Sequence, residues 1–143
     1  MADNDLKIVM CRLYDAFNAN DRHALDAVLA DAFIEHKKTH GIPPGKDGLK
    51  QFVAMIHRAF PDVAFKVADI ASEADKVWAR VVATGTQRGE WFGIPPTGRA
   101  IKIEVFDICR IAGGQITEHW GLADNMGVMR QLGVLPGPPA TGV

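Results

Sequence analysis

Cysteine is scarce in this chain. Two among 143 residues, Cys11 and Cys109, are too few and too far apart for a disulfide framework or a cysteine-based metal site, and both read as small core residues. A basic block is also missing. The 16 lysines and arginines are scattered among 17 acidic residues for a net charge of −1, which removes the electrostatic footprint of nucleic-acid or anionic-membrane partners. No apolar run approaches the roughly 20 residues of a membrane-spanning helix, and the opening MADNDLK lacks the basic-then-apolar order of a secretory signal. A cytoplasmic location is therefore expected. Five histidines, at positions 23, 36, 40, 57 and 119, show no metal-ligand spacing beyond the pair His36 and His40 across a loop. GxGxxG, GxxxxGK[ST], HExxH and GxSxG do not occur, so dinucleotide, phosphate-loop, zincin and hydrolase-elbow chemistry lack their local signatures. Neither a metal nor a cofactor is expected.

What remains is an ordinary globular balance, 48% apolar and 23% charged, in a length that suits one domain. Residues 1–135 read as that domain, and 136–143 (PGPPATGV) as a flexible tail. Leu6, Val9, Met10, Leu13, Tyr14 and Phe17 recur at three- and four-residue steps, so Asp5–Asn18 reads as an amphipathic helix with Asn4 or Asp5 as its cap. Asn20-Asp21 starts a shorter helix that presents Leu25, Val28 and Leu29 and ends near Ala30. Phe33-Ile34-Glu35-His36 is extended, and HGIPPG after it must be a loop. Leu49, Phe52, Val53, Ile56 and Phe60 make a third helix that Pro61 stops.

Beyond Pro61 the period changes to two. Val63, Phe65 and Val67 alternate with Ala64, Lys66 and Ala68, and Lys76 to Thr86 is a second strand-like run. FGIPPTGR is a turn, followed by a strand from Ala100 to Ile111, a hairpin at Gly113-Gly114 and a return strand to about Ala123. Met126 to Leu132 is a closing helix with Gly133 as its left-handed cap. Helices first and antiparallel strands second predict an α+β domain, a curved sheet wrapped over three helices.

On the strand 100–111, Ile101, Ile103, Val105, Asp107 and Cys109 share one face, and Asp107 is the lone polar group among them. Turned into the core, such a carboxylate is either paired or raised in pKa, and both make it a site candidate. Capping a loop near the strand end is the alternative. On the return strand Ile116, Glu118, Trp120 and Leu122 read as one face, and Gln115, Thr117, His119, Gly121 and Ala123 as the other. His119 can then neighbour Asp107 across the hairpin, as a base with its orienting carboxylate or as a satisfied structural histidine. Only one of Glu35 and His36 can face inward, and His36 is a candidate for pocket wall. His40 reads as solvent-exposed and His57 as a surface residue. Trp78 and Trp91 are candidates for a cavity lining, or for the core or an interface. Asp124 is explained by capping the last helix.

The set YDAFNAND, FIEHK, GIPPTGR, DICRIAGGQITEHW and MGVMRQLG resembles the SnoaL-like polyketide cyclases, within the nuclear transport factor 2-like superfamily, over nearly the whole chain. The resemblance implies a cone-shaped α+β fold with a deep apolar pocket between sheet and helices. It also implies a homodimer through the outer sheet face, which would bury Phe106, Ile108 and Trp120. Cyclases of this kind close a ring by a cofactor-free intramolecular aldol reaction, a carboxylate taking the proton next to a carbonyl while polar groups steady the enolate. Their carboxylate lies two residues after the histidine of the EHW-like motif, which is Gly121 here; a histidine stands where this chain has Asp107, and a glutamine where it has Val105. The expectation is an enzyme acting on a small apolar carbonyl or polycyclic compound, with Asp107 as proton acceptor and His119 orienting or protonating. His36, Trp91, Val105 and Gly121 would surround the substrate. A non-catalytic hydrophobic-ligand-binding protein is the alternative, and isomerase, dehydratase or epoxide hydrolase chemistry on the same fold a third reading.

Overall fold

The computed structural model describes residues 2–136; all but the first residue of the expected tail lies outside them. Helix α1, Asp3–Ala19, buries the predicted stripe from Leu6 to Phe17. It starts earlier than expected, after Ala2, and no side chain caps it; Asp3 and Asp5 instead place negative charge in the first turn, where the helix dipole favours it. Asp21 accepts a hydrogen bond from the Ala24 amide and so begins α2, Arg22–Val28. Strand β1, Leu29–Glu35, follows at once, longer than its four extended residues suggest. After the proline loop comes α3, Lys46–Ala59. The remaining elements are β2 (Ala64–Glu73), β3 (Lys76–Thr86), β4 (Ala100–Ala112), β5 (Gln115–Ala123) and α4 (Asn125–Gln131). The Asp124 side chain accepts from the Gly127 amide at the start of α4, and Gly133 beyond its end takes φ 82°.

The five strands form one curled, unclosed sheet in the order β1-β5-β4-β3-β2, with β1 parallel to β5 and every other pair antiparallel. Helix α1 packs on β2 and α2, α3 on β1, and α4 on β4, which puts the core between helices and the concave face. This is the α+β curved sheet over helices expected from the element order, in the cone shape that the family resemblance implies. Gly113 and Gly114 both take positive φ, 59° and 77°, the combination a two-residue type I′ hairpin requires.

Strand β4 alternates as read, with Ile101, Ile103, Val105, Asp107 and Cys109 buried. Strand β5 does not. Arg110 pairs with Glu118 but Ile111 pairs with Ile116, so β5 carries one extra residue, a bulge at Thr117. Ile116, expected on the outer face with Glu118, is consequently fully buried, while His119 still points inward.

Candidate functional site

The concave face of the sheet, α3 and the loop after β1 enclose a cavity of about 410 Å³. Phe52 and Ile56 come from one side, Phe60, Phe65 and Trp91 from another, and Ile101, Ile103 and Val105 from β4. Trp91 lies outside any regular element, on the turn between β3 and β4. Its position depends on Gln87, fully buried, whose amide nitrogen donates to the Gly89 and Ile94 carbonyls (3.1 and 3.0 Å) while its oxygen accepts from the Thr97 amide and hydroxyl (3.0 and 2.7 Å). The backbones of Trp91 and Ile94 bond each other within that clamp.

Three ionisable groups of the cavity, Glu35, Asp107 and His119, gather where the neighbouring strands β1, β5 and β4 meet. Asp107 on β4 faces Gly121 across the hairpin, and Cys109 faces His119, so His119 is the diagonal neighbour of Asp107 on the inner face. Gly121 makes this possible: a Cβ there would stand 2.8 Å from Asp107 Oδ1 and 2.8 Å from His119 Cε1. His119 Nε2 donates to Asp107 Oδ1 at 2.8 Å. Nδ1 lies 2.8 and 2.7 Å from the two carboxylate oxygens of Glu35, the last residue of β1, which pairs with His119 in register. The Lys37 amide holds Glu35 Oε1 at 2.9 Å, and the Tyr14 hydroxyl donates to Asp107 Oδ2 at 2.6 Å. A continuous chain Glu35–His119–Asp107–Tyr14 results, its three ionisable cavity members only 8–11% exposed at their side chains.

Burial works against charge on His119, but the hydrogen bonds and charges of Asp107 and Glu35 outweigh it and raise its pKa from 6.5 to about 9. At neutral pH the ring is thus an imidazolium donating from both nitrogens. Tyr14 moves the other way from ionisation: burial first, then the Asp107 charge and hydrogen bond, push its hydroxyl far up, so it remains a donor. Chemically, the site holds a carboxylate that can take a proton beside a cation that can give one.

Asp107 and His119 are therefore brought together, and both face the cavity along with Trp91 and Val105. Gly121 backs the ion pair without lining the cavity. His36 does not reach it. The inward turn of Glu35 sends His36 to the outer face, where its ring stacks on Trp120 (centroids 4.7 Å apart, planes 8° apart) and Nε2 meets Glu118 at 3.0 Å. His40 is exposed, and Trp78 sits on the outer face. His57, expected on the surface, is half-buried and donates to the Phe17 carbonyl at 2.6 Å. Two members of the chain were not foreseen. Glu35 was half of an undecided pair, and Tyr14 sat unremarked in the apolar stripe of α1, where its hydroxyl, the only tyrosine of the chain, was the available signal.

A curled sheet closed by helices over a cavity, with buried ionisable groups on the central strands, defines the nuclear transport factor 2-like class of α+β cones. Within that class the chain belongs to the SnoaL-like polyketide cyclase family, which it matches over residues 7–132. It is 27% identical over 124 residues to the nogalonic acid methyl ester cyclase of Streptomyces nogalater, covering 85% of this chain and 92% of that one. It is 35% identical to the aklanonic acid methyl ester cyclase AcmA of Streptomyces galilaeus over 82 residues, 57% of each chain. Among solved structures, TsrD from Streptomyces laurentii superposes with a TM-score of 0.86 at 27% identity (94% of this chain, 99% of that one). IdmH from Streptomyces antibioticus does so with 0.79 at 33% (90% and 99%).

Proposed function

We propose that this protein is a cofactor-free acid–base enzyme that closes or rearranges a small apolar carbonyl compound, a polyketide-like substrate, within the cavity. The observation that carries the reading is the chain Glu35–His119–Asp107–Tyr14 against a mainly apolar hollow. Asp107 removes the proton from the carbon next to a carbonyl, and the positive charge on His119 steadies the enolate oxygen. Attack of the enolate carbon on a second carbonyl of the same molecule forms the new carbon–carbon bond. His119 Nε2 gives its proton to the resulting alkoxide, and the proton held by Asp107 then crosses their 2.8 Å hydrogen bond to restore the imidazolium. No proton is gained or lost over the cycle. Tyr14 holds Asp107 in place from the core, and Glu35 fixes the ring and its charge. Trp91 and Val105 form wall, and Gly121 leaves room for the pair.

The same reading has the protein at work in the cytoplasm as a homodimer. Phe106, about half exposed, and the partly buried Ile108 and Trp120 on the outer sheet face support that interface; no helix among the described residues is long and apolar enough to cross a membrane. The test starts from aklanonic acid methyl ester and nogalonic acid methyl ester, the compounds in the relatives' names. Conversion of either is expected, with Asp107→Asn lowering kcat at least a hundredfold while the variant keeps wild-type circular dichroism. Equal turnover by Asp107→Asn removes it as the base. Tight binding of these compounds without product by the wild type would instead make the protein a hydrophobic-ligand carrier.

A further inference from the structure

Glu35, Asp107 and His119 of the cavity lining are paired with one another, whereas two lysines of the same lining are not paired with any acid among the described residues. Glu35, His119 and Asp107 bond one another at 2.7–2.8 Å. The loop from residue 37 to 45, KKTHGIPPG, carries two lysines and no acid, and both Lys37 and Lys38 line the cavity. Among the described residues neither has a carboxylate oxygen within 4.0 Å, although Lys46 and Lys50 at the start of α3 are paired with Asp26, Asp31 and Asp47. The Lys37 ammonium stands 5.6 Å from the centroid of the Phe52 ring, itself cavity wall, so the charge is held against the aromatic surface a ligand would touch.

We infer that the ligand of this cavity is an amphiphile with an anionic group, a carboxylate, sulfonate or phenolate, besides its reacting carbonyl, and that Lys37 and Lys38 receive this group. The inference rests on the pocket reading above and adds the charge of the substrate. The apolar body fills the space between Phe52, Phe60 and Trp91, which directs the carbonyl to Asp107 and His119. An anion beside Asp107, Glu35 and His119 would meet two carboxylates for one imidazolium. Beside Lys37 and Lys38 it meets two cations.

Two dyes that share one ring system separate the effects: anilinonaphthalene sulfonate, and phenylnaphthylamine, which lacks the sulfonate. Each is titrated by fluorescence at about 20 mM salt, and NMR shifts of the Trp91 indole and His119 ring protons report whether it enters the cavity. The sulfonate is expected to bind roughly fivefold more tightly than the neutral dye, as two partly exposed ion pairs allow. Raising the salt to about 0.5 M should shrink that ratio, and the double variant Lys37→Gln, Lys38→Gln should bring it close to one. A ratio near one in the wild type, or one that survives in the double variant, overturns the inference and leaves the proposed reaction standing. If neither dye perturbs Trp91 and His119, the pocket reading fails and the inference with it.

Discussion

The charge on His119 ties the stability of the fold to pH in a direction that can be measured without a substrate. In the unfolded chain the ring titrates near 6.5, and in the folded protein near 9, because Asp107 and Glu35 overcome the cost of burying the cation. A raised folded pKa means the native state binds the proton more tightly, so its contribution is complete below about pH 6 and disappears as pH rises through 9. The two pKa values correspond to about 3 kcal/mol at pH 6, about 1 kcal/mol at pH 8 and almost nothing at pH 10. Urea unfolding followed by far-ultraviolet circular dichroism at pH 6, 7, 8, 9 and 10 should show that decline in the midpoint, with an unchanged slope against urea. His119→Gln should be less stable at pH 6 by about 3–5 kcal/mol, because two buried carboxylates lose their cation, and its profile should be flatter across the same window. If wild type and His119→Gln decline in parallel from pH 6 to 10, the ring is not the buried cation described here, and its place in the proton cycle fails too.

Two further outcomes follow from the same site. Tyr14→Phe removes the donor to Asp107 Oδ2 with little change of shape and should cost about 2 kcal/mol by thermal or urea unfolding; stability equal to wild type would show that the bond carries no weight. Gly121→Ala should cost about 1–3 kcal/mol and weaken the His119–Asp107 contact, seen as a lower His119 pKa by NMR, since the added methyl group falls within 2.8 Å of both partners. An unshifted pKa in that variant would contradict the packing.

Much of the cone was legible from two periodicities. Stripes at three and four residues located α1 and α3, and strict alternation from Ile101 to Cys109 told which face of β4 is buried, hence that Asp107 points inward. The pairing with His119 was legible from the hairpin, whose two glycines set the count of residues on either side. Two errors, at Ile116 and His36, share one cause, parity in strands whose register local sequence does not reveal. The extra residue at Thr117 turns Ile116 inward against its alternation. The choice between Glu35 and His36 depends on where β1 meets β5, a parallel pairing between segments more than eighty residues apart. Tyr14 is obscure for a different reason: its ring belongs to the helix stripe by period, and only the tertiary fold brings the distant β4 carboxylate to its hydroxyl.

The Gln87 clamp separates what shapes the hollow from what does the chemistry. The ionisable groups ride on paired strands and are as stiff as the sheet, but the Trp91 wall is carried by a turn whose form one amide side chain dictates through four contacts. Lengthening or shortening residues 88–96 between Gln87 and Thr97 can therefore enlarge or narrow the chamber while the proton-handling groups stay put, so descendants of this scaffold are free to change clientele without rebuilding their reactive end.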